Sequence, residues 1–317
     1  MKRDNDNRGN LMDKYEGKVI KGLGGLFDVR CKTDDGYTTI SCRARGNIKR
    51  NENKVLVGDN VCISDDGIST VIESISERKN ALIRPPIANL DYMFITFAAT
   101  EPEPFLSTID KMTAISEYNG IVPVIIVTKS DLSDLVGEYA GIYIRAGFRT
   151  FICSSLDGDG IDEIKKFVAD NLRCGKTGAF SGASGVGKST LMNRIFPNLE
   201  IETGSISRKV QRGRHTTRHV ELFPVGEDGN DAYLADTPGF SLIDFDRFDF
   251  FGLDDLFGTF PEFAPYFGKC RYADCSHTGE GEDECALAAA VRDKKIAKSR
   301  LDSYRSLYQT LKNKKNY

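Results

Sequence analysis

Gly182-Ala-Ser-Gly-Val-Gly-Lys188-Ser189 is the stretch whose reading decides the fold of this chain. It has the G-x4-G-K-S spacing of a phosphate-binding loop. It follows the short apolar run Gly178–Ser181, expected to be a strand, and should open a helix, the context such a loop requires. Its glycines let backbone amides turn inward around phosphate oxygens, and the helix N-terminus adds a favourable dipole. Lys188 is expected to reach the β- and γ-phosphates, and Ser189 to offer its hydroxyl to Mg²⁺. Gly182, Ala183, Ser184, Gly185, Val186, Gly187 and Thr190 complete the expected phosphate-binding set. A plain glycine-rich turn is the bland alternative, and the strand–loop–helix context argues against it.

Downstream, Asp236-Thr-Pro-Gly239 ends another short apolar strand, Tyr233–Ala235. Asp236 is expected to hold Mg²⁺ through water, and the Gly239 amide to sense the γ-phosphate. Between the two motifs lies Gly213-Arg-His-Thr-Thr217, where a threonine would complete the Mg²⁺ shell as a loop closes. Thr216 and Thr217 both fit, and the sequence does not choose between them. Upstream, Thr128-Lys129-Ser130-Asp131 directly follows a predicted strand. An ionised Asp131 accepts from both donors of the guanine edge, whereas adenine would leave it unpaired. Lys129 would lay its stem over the base, and Ser154-Ser155, ending the next strand, supplies the second base-contacting loop. In an ordinary GTPase the guanine motif comes last, but here it precedes the phosphate loop. The nucleotide domain is therefore expected to be circularly permuted.

The rest of the chain sorts into segments around this domain. A length of 317 residues allows two or three compact units; hydrophobic content of 40% and charged content of 28% are those of an ordinary soluble protein. The formal net charge of −3 says nothing of nucleic acid by itself. No apolar run approaches the roughly 18 residues needed to cross a bilayer. The N-terminus has no signal-like apolar segment, so a cytoplasmic protein with a disordered tail over residues 1–13 is expected. Residues 14–80 read as about five short strands: Tyr15–Lys21, Leu26–Lys32, Tyr37–Arg43, Lys54–Ile63 and Thr70–Ile75. An OB-fold barrel is the natural closure. Arg43, Arg45, Lys49 and Arg50 cluster there, either as a solvated loop or as contacts to an RNA backbone. Residues 81–245 alternate apolar runs (Tyr92–Ala98, Val122–Thr128, Thr150–Cys153) with helical patterns such as Ile161–Leu172, the signature of an α/β P-loop GTPase domain covered on both faces.

Residues 246–317 are expected to form a mostly helical, zinc-binding domain. Many aromatics open it, from Phe245 to Phe267, and they read as core. One helix is predicted from about Cys285 to Lys312, and its basic excess (Arg292, Lys294, Lys295, Lys298, Arg300, Arg305, Lys312, Lys314, Lys315) reads either as an anionic contact or as a solvated C-terminal helix. Cys270-x4-Cys275-x-His277-x7-Cys285 packs three thiols and an imidazole into 16 residues. Zn²⁺ takes four such ligands in a tetrahedron, and a closed set leaves no position for catalysis, so the role is structural. The remaining cysteines, Cys31, Cys42, Cys62, Cys153 and Cys174, read as small buried residues in a reducing compartment.

With these motifs in this order, the chain resembles the ribosome small-subunit-dependent GTPase A family of circularly permuted GTPases. The resemblance implies an enzyme that hydrolyses GTP to GDP and binds the immature small ribosomal subunit late in assembly. It also implies contacts to rRNA through the barrel and zinc domains, and turnover that the subunit accelerates. Nothing in the sequence suggests more than a monomer. Phe240 stands where many GTPases place a water-orienting glutamine, and the resemblance points to His215 for that task. Thr128 departs from the usual asparagine, which predicts a lost brace on the phosphate loop and weaker nucleotide binding. The competing readings are a permuted GTPase acting on another RNA particle, and an RNA-binding module that holds nucleotide without turnover.

Overall fold

The computed structural model describes residues 13–46, 48, 54–67, 69–197, 199, 220–225, 231–236, 245 and 247–314, with Asp236 through its backbone alone. His215, Thr216, Thr217, Gly239 and Phe240 lie outside the described residues, as do Lys49 and Arg50.

Five strands close the N-terminal barrel: β1 (Asp13–Leu23), β2 (Leu26–Thr33), β3 (Gly36–Ala44), β4 (Asn60–Asp65) and β5 (Thr70–Ile75). Their order is β1-β2-β3-β5-β4, and β4 pairs back onto β1, so no edge is left open. Alternation along the strands sends Val19, Val29, Cys31, Cys42, Val61, Ile63 and Ile72 into one core. The fourth strand starts later than the sequence predicts, because residues before Asn60 are diverted into a junction. There Asp59 is fully buried and takes both Nε and Nη2 of Arg78, at 2.6 and 2.8 Å. Gly58, at φ +92°, lets the chain pass so close to the next segment that a Cβ would lie 2.1 Å from the Ala88 carbonyl oxygen.

A two-stranded hairpin, β6 (Ala81–Leu82) and β7 (Ile87–Ala88), leads into the α/β domain. Its elements are β8 (Tyr92–Ala98), α1 (Leu106–Tyr118), β9 (Val122–Thr128), α2 (Val136–Arg145), β10 (Arg149–Ile152) and α3 (Ile161–Asn171). They are followed by β11 (Lys176–Ser181), α4 (Lys188–Ile195), β12 (Glu221–Pro224) and β13 (Ala232–Asp236). The spatial order is β10-β9-β8-β11-β13-β12, parallel except for β12. Every residue of β8 is buried, as a central strand with both faces covered requires. One face carries α3 and α4 through Ile164, Val168, Leu191 and Met192. The barrel joins this sheet where β1 pairs with β12 at Lys21 and Glu221.

The other face carries α1 and α2 and, in the same continuous core, the C-terminal segment. Phe245, Phe250, Phe251, Phe260 and Phe263 are buried, as their clustering predicts, whereas Phe267 is exposed. Cys174 is likewise exposed rather than buried. The single C-terminal helix expected from sequence is two: α5 (Ala286–Arg292) and α6 (Lys298–Asn313). Lys294 adopts a left-handed φ of +58°, which ends α5 and turns the chain.

Several cations of α5 and α6 are paired within the protein, and one of them is buried. Arg300 is fully buried; its Nη1 donates to Asp110 Oδ1 (2.8 Å) and Thr113 Oγ1 (2.9 Å) on α1. Its Nε and Nη2 hold both oxygens of Glu262, at 2.6 and 3.2 Å, and its guanidinium lies 4.5 Å from the Phe260 ring centroid. Lys298 pairs with Asp302, Arg292 with Asp293, and Arg305 donates to the His277 carbonyl. The anionic-contact reading of this helix therefore fails for Arg300, which clamps the C-terminal segment to α1.

Removing one partner of a buried charge cluster leaves the others uncompensated, at a cost of about 3–5 kcal/mol. Arg300→Ala should lower the unfolding free energy by about that amount in denaturant titrations. A triple variant, Arg300→Met with Asp110→Leu and Glu262→Met, should recover most of it. An Arg300→Ala protein of unchanged stability would contradict the clamp.

Candidate nucleotide site and metal centre

Parallel strands end on one edge of their sheet, and ligands bind where the strand order reverses. Here β8 has β9 on one side and β11 on the other, so the crevice lies between them. The expected residues gather along this edge from separate stretches of chain: Thr128 ends β9, Ser154 follows β10, Gly182 follows β11, and the backbone of Asp236 ends β13 beside Phe180.

The phosphate loop is shaped by backbone freedom and close packing. Gly182 sits at φ +147°, and a Cβ there would meet the Thr96 carbonyl oxygen of β8 at 1.9 Å. Gly187 caps α4 in the left-handed region. Lys188 Nζ donates to the carbonyls of Gly182 (2.6 Å) and Ala183 (2.8 Å), which holds the ammonium inside the curve of the loop. Ser189 is half-buried in the first turn of α4, and Ala183, Ser184, Gly185 and Thr190 are exposed.

Thr128 corrects one expectation. Its buried hydroxyl lies 2.6 Å from the carbonyl oxygen of Val186 and 3.2 Å from that of Phe97. The brace between the guanine motif and the phosphate loop is thus present, made by a hydroxyl in place of an amide. Lys129 takes a left-handed φ of +57° and its Nζ donates to the Glu101 carbonyl, so its stem crosses the crevice. Asp131 is exposed on the 3-10 turn Ser130–Leu132. The Ser130 amide donates to the Cys153 carbonyl (3.3 Å), tying this loop to the next. There Ser154 Oγ accepts from the amides of Leu156 and Asp157, while the buried Ser155 Oγ has no partner among the described residues.

Sequence reasoning missed the segment after β8. Glu101 receives Lys129, and Pro102 stands near Gly185, so this loop walls the crevice. Only its place at the reversal of strand order could have marked it.

At the other end of the chain, Cys270, Cys275, His277 and Cys285 come together, their ligand atoms all within 4.8 Å of one another. His277 Nδ1 lies 3.5, 3.4 and 3.4 Å from the sulfurs of Cys270, Cys275 and Cys285. Sulfur and nitrogen ligands of one tetrahedral zinc ion stand about 3.5 Å apart, so the donor set fits such an ion. The Ala286 amide donates to Cys270 Sγ (3.3 Å), and Arg305 fixes the His277 backbone. Burial holds the imidazole below its usual value, which favours the neutral, ligating form. Burial pushes the Cys275 thiol up, and a bound cation would displace its proton.

Known proteins bear the same pattern. Residues 75–246 match the family described as RsgA GTPase, and residues 16–70 the RsgA N-terminal domain. The small ribosomal subunit biogenesis GTPase RsgA of Agathobacter rectalis is 37% identical over 313 residues, covering 95% of this chain and 99% of that protein. Its namesake in Bacillus cereus is 36% identical over 306 residues, covering 95% and 98%. Among solved structures, YjeQ from Thermotoga maritima superposes with a TM-score of 0.76 at 30% identity, covering 96% of this chain and 100% of that one. YloQ, described as a circularly permuted GTPase, gives 0.73 at 31% identity and covers both chains fully.

Thr128→Val keeps the shape of the side chain and deletes its hydroxyl. The Val186 carbonyl then loses a buried partner, worth about 1–2 kcal/mol. GDP affinity measured by fluorescence titration should fall about tenfold, with Thr128→Ser retaining most of it. Equal affinity in Thr128→Val would show that this hydrogen bond does not hold the loop.

Proposed function

The chain belongs to the RsgA family of circularly permuted GTPases, and from that premise we propose that it assists the late maturation of the small ribosomal subunit. The observation that carries the reading is the meeting, on one sheet edge, of the phosphate loop and a guanine motif that precedes it in the chain, joined by Thr128.

In this proposal Asp131 accepts the two guanine-edge donors, Lys129 covers the base, and Ser154 and Ser155 close its far side. The loop amides and Lys188 hold the phosphates, and Thr190 stands beside them on α4. Ser189, Asp236 and either Thr216 or Thr217 would hold Mg²⁺, which neutralises charge developing on the phosphate oxygens when bound. His215 orients the attacking water once the subunit orders its loop, a task the phenyl ring of Phe240 cannot perform. Gly239 would sense the γ-phosphate through its amide.

The Cys₃His set is assigned to one structural Zn²⁺. Elemental analysis that finds no zinc in the purified chain, or a Cys275→Ser variant that keeps both its metal and its melting temperature, would remove that assignment. The barrel is proposed to meet rRNA through exposed cations such as Arg43. Arg45 is shared with Glu73 and contributes less. No helix among the described residues is long and apolar enough to cross a membrane. The chain is proposed to work as a monomer beside ribosomes in the cytoplasm.

GTP hydrolysis measured alone, with small subunits and with large subunits tests the function. Small subunits alone should accelerate turnover, and His215→Ala should lose that acceleration while keeping GTP affinity. Binding without acceleration by either subunit would instead favour a nucleotide-holding RNA-binding module.

A further inference from the structure

A cavity of about 310 Å³ lies between the barrel and the GTPase sheet, at the opposite end of the strands from the nucleotide edge. Its barrel wall is the outward face of adjacent strands. The alternation that turns Val19, Val29 and Cys31 into the barrel core turns Lys18, Arg30 and Lys32 outward. Lys18 is the cross-strand partner of both Arg30 and Asn60. The floor is Tyr233 on β13 with Asp231 just before it.

The charges in this cavity do not cancel. Lys18 is only 8% exposed, and no carboxylate pairs with it among the described residues; its ammonium lies 5.4 Å from the Tyr233 ring centroid. Asp59 and Asp91 act on it only at a distance, since Arg78 holds the first and Lys79 the second. Arg30 lies over the Tyr37 ring at 4.6 Å, and its buried Nε has no hydrogen-bond partner. Asp231 is engaged by the Tyr37 hydroxyl, leaving the exposed Glu16 as the other lining carboxylate. Burying an ammonium and a guanidinium N–H without an anion is costly, and burial first, with repulsion from Lys79 second, pushes Lys18 down to about 8.

We propose that this inter-domain cavity is a second anion site that takes a terminal phosphate group, either inorganic phosphate or the phosphate of a small phosphomonoester. The ammonium of Lys18, the guanidinium of Arg30 and the amide of Asn60 present donors from three neighbouring strands. A tetrahedral dianion has acceptor oxygens enough to serve them together. The cavity stands at the small end of ligand sites, which run to about 300–1,000 Å³. An ammonium on a buried lysine can be reached by a terminal phosphate but not by the flanked phosphodiester of a duplex. The bound group would be shared by β1 and β2 of the barrel and by the start of β13, whose other end is Asp236.

The test uses the full chain saturated with GDP and Mg²⁺, so that the phosphate loop is already filled. Inorganic phosphate is titrated by calorimetry at fixed ionic strength, and cytidine 5′-monophosphate, which lacks the guanine edge, is titrated in a second arm. Saturable one-to-one binding is expected, weakened about tenfold or more in Lys18→Met with GDP affinity unchanged. Tighter binding of the mononucleotide assigns the site to phosphomonoesters, and equal or tighter binding of inorganic phosphate assigns it to the free ion. Arg30→Gln, on a half-exposed residue, reports the same loss if Lys18→Met does not fold. No saturable binding in either arm, or unchanged affinity in the variants, overturns the proposal.

Discussion

The structure depends on a directional constraint: β10, β9, β8, β11 and β13 run parallel, so their C-terminal ends share one edge. A loop leaving any of these strands arrives at the nucleotide crevice whatever its place in the chain. Chain order is then free to change, because the site is defined by which strand end each motif follows. The permuted chain keeps the geometry by making the sheet continuous in space where it is discontinuous in sequence: β11 inserts beside β8, and both are buried. Thr128 closes the arrangement with one hydrogen bond from β9 to the phosphate loop.

Permutation also sets what the C-terminal segment can do. That segment follows β13 and folds back over α1, sharing one apolar core with that face of the sheet. Arg300 fixes it there. Two carboxylates from different elements surround one guanidinium, an arrangement that is strong only while all partners remain. The Cys₃His cluster organises the same region, since Phe257 and Tyr304 pack against the His277 ring. The Cys₃His cluster, aromatic core and ionic clamp therefore rest together on α1, and α1 follows the crevice wall after β8. A change at the nucleotide edge has a short packed route to that region.

Much of this was legible in the sequence. The spans Tyr92–Ala98 and Val122–Thr128 were set by uninterrupted apolar runs, and the structure gives the same bounds. The barrel strands followed from short runs rich in Val, Ile, Thr and Tyr broken by turn residues, and the Cys₃His quartet from its spacing. What failed were features decided by tertiary contacts. Arg300 looks like any surface cation on a basic helix until Asp110, 190 residues away, is brought against it. Asp59 and Gly58 displaced the start of the fourth strand because the hairpin crosses them there. Lys294 broke a helix whose composition favoured continuity. The Thr128 hydroxyl took over a role expected to be lost, since what the loop needs is a donor at that point rather than a particular side chain. The switch residues His215, Thr216, Thr217 and Gly239 rest on sequence alone.

A motif lying ahead of the phosphate loop is proposed to read the base, with Asp131 as its recognising residue. Affinities of Asp131→Asn for GDP and for xanthosine diphosphate, compared with those of the parent chain, test it most directly. An amide at this position can donate to the 2-oxo group of xanthine but can no longer accept from both guanine donors. GDP binding should fall by about a hundredfold while xanthosine diphosphate binding rises. Unchanged GDP affinity in Asp131→Asn would contradict it.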